Sequence, residues 1–255
     1  MGVAALKPSD EITLVDACLL AGKILMQSGA ETYRVEDTMM RMAAAYGFME
    51  SQSFVTPTGI IFSLEGSDPS QFVRISERGT DLEKIARVNS ISRKMVEGEL
   101  SPVDAFRALK ELEKANLSFP IWVQLAAATL SSGSFLIMFK GVWADYLPAM
   151  IVGGLGFAVL LLVHNQTKVK FFAEFTASFV IGLLSVYLVK YGWGKKLDLI
   201  VIASVMPLVP GLLITNAIRD LMAGHFVSGL SKGAEAVLTA LAIGAGVAVV
   251  YSILL

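Results

Sequence analysis

The sequence predicts a membrane protein in two parts, a soluble α+β domain over residues 1–117 and an α-helical bundle of about five transmembrane helices over residues 118–255. Two observations carry this. Hydrophobic residues make up 55% of the 255, with a mean hydropathy of +0.64, well above an ordinary soluble domain. Charge is also uneven: Met1–Leu117 holds 30 of the 43 Lys, Arg, Asp and Glu residues. A net charge of −1 without a basic tract argues against a nucleic-acid partner. The one cysteine, Cys18, precludes an internal disulfide framework. On an apolar helix face, it reads as packing rather than as a reactive thiol.

Met1–Asp10 lacks the apolar core of a signal peptide, and Asp16 and Lys23 interrupt the run from Ile12 to Met26. That run reads as an amphipathic helix, with Leu14, Cys18, Ala21 and Leu25 at helical spacing, Ser9 or Asp10 as cap and Gly29 as its end. A second helix is expected from about Glu31 to Tyr46, stopped by Gly47, with Glu31 suiting its N-terminal dipole. Ser53–Thr56, Gly59–Leu64 and Gln71–Ser76 are rich in β-branched and aromatic residues or alternate, and Gly66–Pro69 reads as the turn between the last two. Asp81 to Gly98 returns to helix. Ser101-Pro102 then opens another with a serine cap and a proline at the first helical position, running to about Ala115.

Five apolar segments follow: Phe119–Phe139, Tyr146–Val163, Phe171–Val189, Leu197–Ile214 and Ala234–Leu255. Each is near the roughly 18 to 20 residues that cross a hydrocarbon core. The glycine cluster Gly153-Gly154-Leu155-Gly156 in the second suggests close helix contact. With the N-terminal domain inside, seven Lys and Arg flank the inner face against four outside, which favours a cytoplasmic domain.

The fourth segment is unusual. Pro207 and Pro210 lack backbone N–H groups and crowd the preceding turn, and Gly211 adds conformational freedom, so a regular helix should break there. Thr215, Asn216, Arg219 and Asp220 follow. They are either the tail of a bent span that has reached water, or polar groups exposed at membrane depth as in transporters with discontinuous helices. His225, Ser228, Lys232 and Glu235 continue as a polar connector. Glu174 lies near the start of the third segment, either in the headgroup layer or inside the hydrocarbon, where an ionisable group suggests proton coupling.

In the N-terminal part, Ser28, Glu31, Arg34, Glu36 and Asp37 form a polar knot that reads as a cap with helix-surface ion pairs. Both histidines, His164 and His225, lie outside that part, so a Ser-His-Asp triad is impossible within it. No cofactor motif and no convincing metal-ligand spacing is present.

Three stretches together resemble the threonine/serine exporter family, in its N-terminal half-transporter form. They are Ser28-Gly29-Ala30-Glu31-Thr32-Tyr33-Arg34-Val35-Glu36-Asp37-Thr38-Met39, then Val88-Asn89-Ser90-Ile91-Ser92-Arg93, and then Pro207 to Gly211 with Thr215 to Leu221 and Ser228-Gly229. The resemblance implies export of small amino acids across the bacterial inner membrane, or of dicarboxylates such as succinate by a split pair. It also implies a small membrane protein as partner, because a second membrane domain is missing. Pro207, Pro210, Gly211, Thr215, Asn216, Arg219 and Asp220 then become candidate pathway residues, and Ser28, Gly29, Glu31 and Arg34 an N-terminal family motif. Arg219 is the expected partner of a solute carboxylate, and Glu174 or Asp220 the expected proton-coupling group. A membrane-anchored, hydrolase-like enzyme and a non-transporting sensor or scaffold are the alternatives. The first would need catalysis by the N-terminal part, and the second would tolerate alanine around Pro210–Asp220.

Overall fold

The computed structural model describes residues 8–64 and 70–254, with side chains from Thr13 onward. Its backbone forms two compact units, residues 1–118 with 212–233, and residues 119–211 with 234–255. The segment that carries Asn216, Arg219 and Asp220 therefore belongs to the first unit, and the units do not follow a single cut at residue 117.

In the first unit, α1 (Pro8–Gln27) is the central element. It packs against α2 (Thr32–Ala44), β2 (Gly59–Ser63), α3 (Leu82–Val96) and α4 (Pro102–Lys114). The expected stripe of Leu14, Cys18, Ala21 and Leu25 is buried, but so are Ala17, Leu19, Ile24 and Met26. A helix enclosed on this many sides is apolar nearly all round, which is why amphipathic spacing understates it. Its start at Pro8 lies upstream of the expected caps, and the side chains of Ser9 and Asp10 are outside the described residues. Cys18 is buried, its thiol donating to the Met39 carbonyl at 3.6 Å, and burial pushes its pKa well up, so it is a core residue.

The strands β1 (Gln52–Thr56), β2 and β3 (Gln71–Arg74) form an antiparallel sheet in that order. Alternation sorts its faces: Val55, Ile60 and Phe62 are buried, whereas Phe54, Ile61 and Phe72 point outward. The turn expected at Gly66–Pro69 falls outside the described residues. Both later caps form as the residues dictate. The Asp81 side chain accepts from the Lys84 N–H, the Ser101 hydroxyl accepts from the Asp104 N–H, and Pro102 opens α4.

The second unit holds α5 (Ile121–Met138), α6 (Tyr146–Thr167), α7 (Lys170–Lys190), α8 (Leu197–Val205) and most of α10 (Phe226–Leu254). Here α6 packs against α5, α7 and α8. Its glycines permit this, because a Cβ on Gly153 would collide with Ser132, one on Gly154 with Thr129 and one on Gly156 with Ile181. Asp145, fully buried before α6, accepts the backbone N–H groups of Lys195 at 2.6 Å and Lys196 at 3.1 Å, which ties down the loop between α7 and α8.

Four helices, α5, α6, α7 and α10, are long and apolar enough to cross a membrane, and the interrupted run of α8 with α9 (Gly211–Met222) is a fifth if it counts as one span. This is a mostly helical membrane protein. Two expectations change. The residues after Gly211 form a regular helix rather than a polar tail, and α10 begins eight residues before Ala234, so Ser228, Lys232 and Glu235 are helical and not part of a connector.

Candidate functional site

The polar groups of the first unit converge where α1 ends and α2 begins. Gly29 has φ of 87°, and the Ala30 and Gly29 N–H groups return to the carbonyls of Leu25 and Met26, a Schellman ending that only glycine enters cheaply. A Cβ at Gly29 would also lie 2.9 Å from the Gly79 carbonyl oxygen. The reversal leaves the carbonyls of Gly29 and Ala30 turned away from the helix ladder and brings Thr32 to the first position of α2, where its N–H has no intrahelical acceptor.

A second Schellman ending closes α9. Gly224 has φ of 87°, its N–H returns to the Leu221 carbonyl, and the His225 N–H returns to that of Asp220. Three- and four-residue spacing puts Asn216, Arg219 and Asp220 on one face of α9. All three engage the α1–α2 junction. Asn216 donates to the Gly29 carbonyl at 2.8 Å. Asp220 accepts from the Thr32 N–H at 2.8 Å and the Thr32 hydroxyl at 2.9 Å, an anion on a helix N-terminus. Arg219 donates to Glu31 at 2.6 Å.

The network has an enclosed centre and an open rim. At the centre, Lys232 donates to Asp220 at 2.7 Å, to the Ala30 carbonyl at 3.1 Å and to the Thr32 hydroxyl at 3.3 Å, so all three ammonium hydrogens are placed. Asp220 is fully buried and Lys232 is 7% exposed. At the rim, Glu31 is gripped by Arg219 on one oxygen and by Arg34, 3.4 Å away, on the other. Both guanidinium groups remain open, with side-chain exposures of 60% for Arg219 and 48% for Arg34. Burial works to raise the Glu31 pKa, but hydrogen bonds from its own backbone and from Arg219, with the charges of Arg34 and Arg219, outweigh it and hold the carboxyl below its usual range. Beside them, the Glu36 carboxylate accepts from the Val55 N–H at 2.9 Å and faces His225 at 3.8 Å, while Ser228 donates to the Val55 carbonyl at 3.3 Å. Burial raises the Glu36 pKa, and Asp220 adds to this, against the lowering by Val55 and His225.

Several expected site residues stand apart from this network. Thr215 is exposed and donates back to the Leu212 carbonyl at 3.0 Å. Pro207 lies in a 3-10 turn, Met206–Leu208, and Pro210 just before α9, so the prolines break the run as expected. Gly211 has no positive φ, and a Cβ added there would meet nothing within 4 Å, so its lack of a side chain is not needed. Ser28 is buried, and its carbonyl accepts the Asp81 N–H at 3.0 Å, which ties α1 to the start of α3. The second family-like stretch, Val88 to Arg93, is the middle of α3, where Val88 and Ser92 are buried. An open polar cavity of about 550 Å³ beside Ser28, Asp81, Lys84 and Glu113 includes none of the candidate pathway residues.

Glu174 belongs to the second unit. It is buried in α7 at 5% exposure, one oxygen accepts from the Thr239 hydroxyl of α10 at 3.3 Å, and the other has no hydrogen-bond partner among the described residues. One turn earlier Lys170 pairs with Glu235 at 2.8 Å. Glu174 is thus enclosed between α7 and α10.

Sequence reasoning missed Lys232 as the partner of Asp220, and Glu31 as the partner of Arg219. Complementary charge in two motifs of one family pattern, Glu31 with Arg34 and Arg219 with Asp220, was the available signal.

A family model described as "Putative threonine/serine exporter" matches residues 16–254. Among curated relatives, the "Probable succinate transporter subunit YjjP" of Klebsiella aerogenes is 24% identical over 245 residues, which span 94% of this chain and 93% of that protein. The protein of the same name in Escherichia coli is 25% identical over 243 residues, 92% of this chain and 93% of its own length. The "Probable threonine/serine exporter" of Mycobacterium tuberculosis is 21% identical over 240 residues, 92% of this chain but 45% of that protein. No solved structure matches the chain.

Proposed function

The chain belongs to the threonine/serine exporter family, a family of transporters rather than enzymes, and we propose that it is the larger subunit of a two-component exporter of a small carboxylate-bearing solute. The solute is threonine or serine, or a dicarboxylate such as succinate. The naming of two relatives as transporter subunits supports a partner chain: both are spanned almost end to end, and 45% of the exporter is spanned. A small membrane protein then completes the transporter, and alternating access comes from movement of the helical bundle against it. The membrane is the bacterial inner membrane, and the excess of Lys and Arg on one set of flanks supports a cytoplasmic N-terminal part.

The observation that carries the reading is the rim of the polar network. Arg219 and Arg34 share one carboxylate while most of their donors stay open, and paired guanidinium groups suit planar bidentate recognition of a carboxylate. Thr215, Asn216 and the Pro207–Gly211 break lie along the same stretch and are read as pathway residues. Proton coupling is assigned to Glu174 in preference to Asp220. The charge on Asp220 is already matched by Lys232 and Thr32, whereas one oxygen of Glu174 is unpartnered among the described residues and available to a hydrogen.

The test is efflux of preloaded radiolabelled threonine, serine and succinate from cells that express this chain alone or with a candidate small partner. Efflux of one solute only with both chains supports the proposal. Efflux from this chain alone removes the partner, and no efflux in either case, with both chains verified in the membrane, rejects the function.

A further inference from the structure

We propose that Glu31 is a tethered competitor, a carboxylate of the protein itself that holds the solute-carboxylate position between Arg219 and Arg34 and is displaced when solute binds. The inference rests on the exporter reading of this site and adds how the site is kept closed.

Geometry separates Glu31 from the rest of the network. Its two oxygens are divided between two arginines, Oε1 to Arg219 at 2.6 Å and Oε2 to Arg34 at 3.4 Å, which is the arrangement an incoming carboxylate would adopt. As the residue before α2, Glu31 is placed to cap that helix, yet its side chain makes no capping bond and turns to the arginines instead. The Thr32 N–H, the first of α2, is met by Asp220, so departure of the Glu31 side chain does not leave that helix donor without an acceptor.

Exchange is also chemically even. Arg219 and Arg34 hold a carboxylate before and after, so neither guanidinium loses its counter-charge, and the cost is what the Glu31 side chain gives up: its two arginine contacts and the bond to its own backbone. The same exchange at Asp220 would strip Lys232 and the Thr32 N–H of their partner in a buried place, which is the more costly event. The ligand class is therefore an anion with a planar carboxylate, presented to two guanidinium groups whose outer faces reach solvent. A free amino acid and a dicarboxylate share that group.

The experiment uses the full chain in lipid nanodiscs, with radiolabelled succinate and threonine as probes and threoninol as the control without a carboxylate. Glu31→Gln keeps the shape and removes the charge, and it should lower the Kd for at least one carboxylate probe by tenfold or more, with no gain for threoninol. Adding Arg219→Ala should cancel the gain. No tighter binding in Glu31→Gln, including no measurable binding in either protein, overturns the competitor role. So does weaker threonine binding with succinate unchanged, which would make Glu31 an ammonium ligand. The exporter reading is judged separately by efflux: Arg219→Ala that still exports at the wild-type rate removes Arg219 from the pathway, whatever the nanodisc result. Arg219 is exposed enough for the variant to fold, and a symmetrical size-exclusion peak verifies this.

Discussion

Lys232→Met is the sharpest test of the buried centre. The substitution keeps most of the side-chain length and removes the ammonium, so it isolates the charge from packing. Asp220 is then left fully buried with the two Thr32 donors, at 2.8 and 2.9 Å, and no counter-charge. Breaking a buried ion pair from one side costs about 3–5 kcal/mol. Because Thr32 still solvates the carboxylate, the lower end applies, about 3 kcal/mol. Asp220→Ala should be worse, since it strands the ammonium and also leaves the Thr32 N–H without an acceptor. The pair Asp220→Asn with Lys232→Met removes both charges and keeps an acceptor for Thr32, so it should recover to within about 1–2 kcal/mol of the parent. At roughly 2–4 °C per kcal/mol for a chain of this size, Lys232→Met should lower the melting temperature of the purified protein in detergent by about 6–12 °C. A fall under about 2 °C, or a double variant no better than the single one, would refute the buried pair.

Gly29→Ala combines a left-handed φ with a close carbonyl and should cost about 1–2 kcal/mol or more, read as a lower melting temperature, while Gly211→Ala should be neutral because neither constraint applies there. Glu174→Gln should leave the protein in the membrane at normal levels but remove the dependence of solute efflux on an imposed pH gradient, and efflux that still follows the gradient would exclude Glu174 as the coupling group. The pH dependence at the rim has a defined sign. The Glu31 pKa is lowered by folding, so its contribution to stability is present above the ordinary carboxylate range and is lost as pH falls through the lower folded value. Glu36, raised by folding, contributes in the opposite sense, with stability present at low pH and lost as pH rises through its folded value. Acid melting curves of Glu31→Gln and Glu36→Gln should therefore change slope in opposite directions.

What could be read from the sequence was local. Alternating β-branched residues located the strands, Ser101-Pro102 and Gly29 marked helix ends through their own backbone chemistry, and uninterrupted apolar length marked the long helices. The prolines at 207 and 210 gave the break but not the helix beyond it. Leu212, Ile214 and Ile218 continue the apolar composition of the preceding run, so hydropathy reads one span, while the polar face of α9 is committed to partners distant in sequence. The bond from Thr32 to Asp220 joins residues 188 positions apart, and no periodicity carries information over that distance. The start of α10 was hidden for a related reason. Ser228, Lys232 and Glu235 look like a solvated connector until Asp220 and Val55 are known to receive the first two.

The arrangement of charge around Thr32 assigns different tasks to two neighbouring residues of α9. Asp220 points into an enclosed site where it meets the Thr32 N–H at a helix end, the Thr32 hydroxyl, and an ammonium with 7% exposure whose other two bonds stay within the α1–α2 junction. Such a pair adds little net stability over an apolar pair, but it penalises any packing in which the α1–α2 junction and α9 are out of register. Arg219 points to the rim, where it shares the Glu31 carboxylate with Arg34 and most of its donors are open. Register fixed at the centre is what keeps Arg219 within reach of Glu31 and Arg34, so loss of Asp220 should impair carboxylate recognition at a site it does not touch. On that basis Asp220→Asn, which retains an acceptor for Thr32, should preserve more solute binding than Asp220→Ala, and equal loss in both would place Asp220 itself among the groups that contact solute.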